Sequence, residues 1–121
     1  MKPINLQEKY DLFQALWTPK IIGELNGQQV KLAKLKDDFV WHSHENEDEL
    51  FLIVKGELIM EFRDRVEHVR EGELIIVPKG VEHFPRTANG EEVWVMLFEP
   101  AETKHTGAVE HEKTVHNPDR I

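Results

Sequence analysis

From residue 20 onward, apolar and polar positions fall into short blocks separated by turn residues. Turn signals recur along the chain at Asn26-Gly27, Asp37-Asp38, Lys55-Gly56, Asp64-Arg65, Glu71-Gly72, Pro78-Lys79-Gly80 and Asn89-Gly90. Between them lie segments rich in Val, Ile, Leu and Phe, the rhythm of an antiparallel all-β sandwich or barrel. Asn-Gly between residues 21–25 and 28–35 predicts a hairpin closed by a two-residue turn. Before this region, Leu6, Tyr10, Phe13 and Trp17 fall at helical spacing, and Asn5 with Glu8 would cap a first turn. A short N-terminal helical or strand segment is therefore expected ahead of the sheet. Residues 101–121 have no periodicity and read as an irregular tail.

Three segments are apolar at both odd and even positions: 50–54, 74–77 and 93–98. A sheet with one wet face alternates apolar and polar residues, so these strands need cover on both faces. A barrel interior covers one face. The other calls for the N-terminal segment, a second sheet or another subunit. With few spare elements in 121 residues, a homodimer is the expectation.

The length fits one domain, 1–121. Asp and Glu number 23 against 15 Lys and Arg, a formal net charge of −8. An acidic chain without a basic run disfavours nucleic acid and anionic membrane surfaces as partners. The apolar runs are far shorter than the ~20 residues that span a bilayer. No signal-peptide pattern opens the sequence, and a cytoplasmic protein is expected. Cysteine is absent while histidine occurs seven times. Any metal held here must therefore use imidazole and carboxylate ligands.

The residues suited to that purpose are close together. His42 and His44 are two apart, so on a strand both imidazoles project from one face. Glu49 follows across a turn. A turn built on Pro78 and Gly80 then leads into His83. If these four face inward, parity sends Val40, Phe51, Ile53, Val81 and Pro85 with them and turns Arg86 away. The expected lining is thus mostly apolar, with no Lys or Arg aimed at the site. That argues against a phosphorylated substrate. The remaining candidates have plainer readings. His68 fits a half-buried strand residue; Glu45, Glu47 and Asp48 fit a solvated loop; His105, His111 and His116 fit a solvated tail, with His105 able to fold over the barrel mouth.

The spacing His42-x-His44-x4-Glu49-x6-Gly56 resembles the first motif of the cupins. Gly72-x5-Pro78-x-Gly80-x2-His83 resembles their second, except that Thr87 stands where an Asn is usual. The motifs cover 42–87, and the whole chain resembles a small single-domain cupin of the mannose-6-phosphate isomerase-like kind. The resemblance implies a jelly-roll, or double-stranded β-helix, barrel. It also implies a divalent metal held by His42, His44, Glu49 and His83. Three imidazoles and a carboxylate suit Fe, Mn, Ni, Zn or Cu. Two coordination positions would stay open for a small molecule. The expectation is a metal-dependent enzyme acting on a small oxygen-rich organic molecule, as a sugar-like isomerase or epimerase or as a dioxygenase, with Glu49 (or His105) moving a proton. A non-catalytic small-ligand-binding or sensor module is the alternative.

Overall fold

A computed structural model describes residues 1–101 and 117–121. Among these described residues, one helix, α1 (Leu6–Tyr10), precedes eight strands: β1 (Lys20–Leu25), β2 (Gln28–Leu35), β3 (Glu49–Lys55), β4 (Glu57–Phe62), β5 (Val66–Arg70), β6 (Leu74–Val77), β7 (His83–Arg86) and β8 (Val93–Pro100). The strands form a five-stranded sheet, β1-β2-β8-β3-β6, and a three-stranded sheet, β5-β4-β7. Every strand pair is antiparallel. This is the all-β jelly-roll architecture that the turn rhythm predicts.

The hairpin at Asn26-Gly27 forms as expected. Both residues have positive φ (49° and 77°), and Leu25 pairs with Gln28 directly across the turn. Such a backbone matches the right-handed twist of the flanking strands. The short helix also forms. Asn5 caps it, its side-chain oxygen accepting the backbone N–H of Glu8 at 2.9 Å.

The helix stops after Tyr10, although Phe13 and Trp17 continue its spacing. Tertiary packing overrides the local period here. Phe13 joins Tyr10 and Leu32 on the outer face of the large sheet. Trp17 is drawn instead into the inner core, its backbone N–H bonded to Lys34 O at 2.9 Å. No single helix face can reach both sides of a sheet.

The segments apolar at every position serve both sides of that sheet. Phe51, Ile53, Val77, Val93, Val95 and Leu97 point into the inner core. Val54, Trp94 and Met96 point outward, where Tyr10, Phe13 and Leu32 meet them. The N-terminal segment thus covers one end of the outer face. Toward the β6 edge, Leu50, Leu52 and Phe98 are half-buried, while Leu74 and Ile76 are 53% and 56% exposed.

Residues 117–121 are irregular, as expected of the tail, and they are tied to the sheet by one isolated bridge, Ile21 to Arg120. Ile21 N–H donates to Asp119 O, and Ile121 N–H donates to Ile21 O, tying residues 119–121 to β1. His105, His111 and His116 lie outside the described residues. Among the described residues, no helix is long and apolar enough to cross a membrane.

Candidate metal centre

His42, His44, Glu49 and His83 converge inside the jelly roll. One ligand atom from each lies within 4.8 Å of the other three, and all four side chains are buried. The route there differs from the strand expected to carry His42 and His44. His42 and His44 lie in an irregular segment that makes one isolated bridge, His42 to His83 on β7. The two imidazoles meet edge to face, with ring centroids 5.3 Å apart. Other main-chain ties hold the loop to the second motif. Gly80 N–H donates to His44 O at 2.7 Å, and Lys79 N–H donates to the Asp48 carboxylate at 2.9 Å. Asp48, expected only to be solvated, therefore fixes the turn that leads to His83.

Hydrogen bonds also orient the rings. His42 Nδ1 lies 2.8 Å from Val40 O, and His83 Nδ1 lies 2.9 Å from Val81 O. A carbonyl only accepts, so each Nδ1 carries the proton and each Nε2 keeps its lone pair. Burial, followed by the neighbouring His83, lowers the His42 pKa from 6.5 to about 3. That keeps the ring neutral, as a ligand must be.

Glu49 completes the group from the start of β3. Its Oε1 lies 3.3 Å from His44 Nε2 and 3.8 Å from His83 Nε2. Burial alone would push the Glu49 carboxyl up. The polar groups of Glu99, His44 and His83 outweigh it and hold the carboxyl well below the usual carboxylate range. Among the described residues, Glu49 Oε1 and the Nε2 atoms of His44 and His83 are buried without a sound hydrogen bond. Buried polar atoms are rarely left unpaired. Three lone-pair atoms aimed at one another fit a cation between them, and the donor set suits Fe, Mn, Ni, Zn or Cu.

A cavity of about 360 Å³, counting its open mouth, reaches His42 and Glu49. Its other walls are Trp17, Pro19, Ala33, Leu35, Phe39, Phe51, Pro85, Val95 and Leu97. Phe51 and Pro85 line it as parity predicts. Val40 does not: Phe39 takes the place because residues 39–44 are not a regular strand, and Phe39 stacks on Trp17 at 4.6 Å and 11°. Ile53 and Val81 pack in the core rather than along the cavity. Arg86 points away, its Nε 2.8 Å from Glu61 on β4. His68 is exposed rather than half-buried and pairs with Glu57.

Two charged residues near the site escaped the sequence reading. Lys31 on β2 and Glu99 on β8 are 2% and 0% exposed, with Nζ 2.9 Å from Oε1. The signal was present: Lys31 shares parity with Ala33 and Leu35, and Glu99 with Val95 and Leu97. Thr87 proves structural. It exchanges hydrogen bonds with Asp37, whose φ is 66°, and so pins that turn.

The comparisons with known proteins agree with this geometry. The chain is 42% identical to a cupin-2 domain protein of Shewanella frigidimarina, covering 80% of this chain and 93% of that one, with a TM-score of 0.77. It is 35% identical to the protein NMB1881 of Neisseria meningitidis, over 83% of this chain and all of the other, with a TM-score of 0.74. The protein YdbB of Bacillus subtilis is 36% identical over 67 residues, which span 54% of this chain and 59% of that relative's length. KdgF from Halomonas shares the fold at 19% identity and a TM-score of 0.58. The sequence pattern of the Cupin domain matches residues 28–98, so the two motifs, the jelly roll and the convergent His/Glu group belong together, and the chain is a member of the cupin family.

Proposed function

We propose that this cupin is a metal-dependent enzyme acting on a small, weakly polar organic molecule that carries adjacent oxygen atoms. The observation that supports this reading is the lining of the cavity. Among the described residues, its walls apart from His42 and Glu49 are apolar, with no Lys, Arg, side-chain amide or hydroxyl group. A sugar-like substrate would bury many hydroxyls there without partners, which costs binding energy. A phosphate would find no cation among these described lining residues. A diketone, enol or catechol-like molecule presents an apolar body to Trp17, Phe39 and Phe51 and its oxygens to the His/Glu group. The proposal therefore favours dioxygenase chemistry over a sugar isomerase or epimerase.

A bound divalent transition metal would supply Lewis-acid polarisation of the substrate's oxygens, or a path for electrons from the substrate to dioxygen. His42, His44 and His83 would hold it through Nε2 of neutral rings, with Glu49 as the fourth ligand. Glu49 is the ionised carboxylate at the cavity wall and the group expected to accept a proton from the bound molecule. The apolar walls exclude water and orient the molecule.

The test begins with metal analysis of untagged protein purified without a chelating column. One equivalent of a divalent transition ion is expected. Protein loaded with Fe(II) or Mn(II) is then offered acetylacetone, catechol and a hexose phosphate, with oxygen uptake and product formation followed. Turnover of either of the first two supports the reading. Turnover of the hexose phosphate alone would replace it with the isomerase reading, and binding without turnover would leave a ligand-binding module.

A further inference from the structure

We infer that Lys31 and Glu99 are a positioning pair for the Glu49 ligand, an extension that rests on the metal reading above. Three ionisable side chains lie in a line across the five-stranded sheet. Lys31 Nζ on β2 meets Glu99 Oε1 on β8 at 2.9 Å. Glu99 stands beside Glu49 on β3 in the strand register, and both side chains are buried. The strand register places them so: Leu50 pairs with Phe98, which sets Glu49 beside Glu99, and Lys31 pairs with Leu97, one inward position along.

All three are almost fully buried, at 2%, 0% and 2% exposure. A buried ion pair rarely stabilises a fold more than apolar residues of the same volume would. The surrounding inner face is apolar, with Ala33, Val95, Leu97 and Phe51, and would accept such residues. The pair therefore lacks a stability rationale. Its end on Glu49 supplies another.

Glu99 itself stands outside the four-residue ligand group. Among the described residues, the buried Glu99 Oε2 has no hydrogen-bond partner. The ammonium of Lys31 fixes one carboxyl oxygen of Glu99, and Glu99 in turn fixes the rotamer of Glu49. Oε1 of Glu49 is left pointing at His44 and His83. Metal-ligating carboxylates are commonly held in this way by a further polar group.

The experiment is a cobalt(II) titration of untagged wild type, of Glu99→Gln, and of the double variant Lys31→Met/Glu99→Leu. The dissociation constant is read by competition with a chromophoric chelator, the visible cobalt spectrum reads ligand geometry, and thermal unfolding without metal reads the fold. The double variant should unfold at or above the wild-type temperature. It should nevertheless bind cobalt about 10–100-fold more weakly, the usual cost of losing an outer-shell partner, with displaced visible bands. Glu99→Gln, which keeps a polar group against Glu49, should lose less.

A folded double variant with wild-type affinity and spectrum would overturn the positioning role. Should the double variant not fold, an unchanged affinity and spectrum in Glu99→Gln would overturn it equally. A wild type that takes up no cobalt overturns the metal reading, and this inference with it; wild-type binding with unaltered variants overturns the inference alone.

Discussion

His42 and His83 exchange two backbone hydrogen bonds, each donating its N–H to the carbonyl of the other at 3.1 and 2.9 Å. Their rings consequently stand 4.2 Å apart, centroid to centroid. The two motifs are thus joined by main chain, independently of any metal and of the imidazoles themselves.

From this it follows that His42→Ala and His83→Ala should empty the site without unfolding the protein. Metal content should drop from one equivalent toward zero after dialysis. The affinity loss should exceed the roughly 10–100-fold cost of an outer-shell change. Circular dichroism should show the β-structure retained. A variant that keeps a full equivalent of metal would remove that histidine from the ligand set.

Trp17 should separate ligand binding from metal binding. It holds a φ of 54°, rare for a bulky residue, and it walls the cavity by stacking on Phe39. Its indole N–H donates to Lys36 O at 2.9 Å. Trp17→Ala is expected to lower stability by about 3–5 kcal/mol and to weaken catechol binding to the metal-loaded protein. Metal stoichiometry should stay at one. Unaltered catechol binding would place the molecule elsewhere.

Tyr10 sets an alkaline limit. Its hydroxyl is buried under the outer face and donates to Val95 O at 2.6 Å, and burial raises its pKa above the ordinary 10. The unfolded phenol ionises near pH 10 while the folded one stays protonated. The stabilising contribution is therefore complete below pH 10 and falls as pH rises beyond it. Tyr10→Phe should cost about 1 kcal/mol at neutral pH and flatten the decline above pH 10. Chemical denaturation at pH 8 and pH 11 reads both effects.

Gly56 and Gly72 both occupy turns, with different surroundings. Both have positive φ, 87° and 84°. A Cβ at Gly72 meets nothing within 4 Å, whereas one at Gly56 meets Glu92 O at 3.1 Å and Val93 Cγ2 at 3.2 Å. Gly72→Ala should cost about 1–2 kcal/mol, the strain of the left-handed backbone. Gly56→Ala should add about 1–3 kcal/mol of overpacking. Equal losses in urea titrations would refute the difference.

The exposed half of the outer sheet face bears on the expected homodimer. Leu74 and Ile76 stand open at the β6 edge beside half-buried Leu50, Leu52 and Phe98. Sedimentation is expected to give a particle near twice 14.2 kDa, and the double substitution Leu74→Lys/Ile76→Lys to give a monomer. A monomeric wild type removes the expectation.

The sequence by itself determined most of the elements and named the four residues of the candidate metal group. Turn chemistry is local, so Asn26-Gly27, Gly56 and Gly72 announce their turns wherever the strands go. The spacing of His42, His44, Glu49 and His83 named the four residues that the structure brings together. Parity failed where the chain is not a strand: Phe39, not Val40, faces the cavity, because the loop before β3 takes its path from bonds to residues 79–87. The helical period over 6–17 failed because Phe13 and Trp17 belong to opposite faces of the sheet. Only the tertiary structure decided that Trp17 walls the cavity and that Lys31 reaches Glu99 beside Glu49. Those contacts cross 22 to 68 residues of sequence. Their energies depend on burial and strand register, which no local pattern encodes.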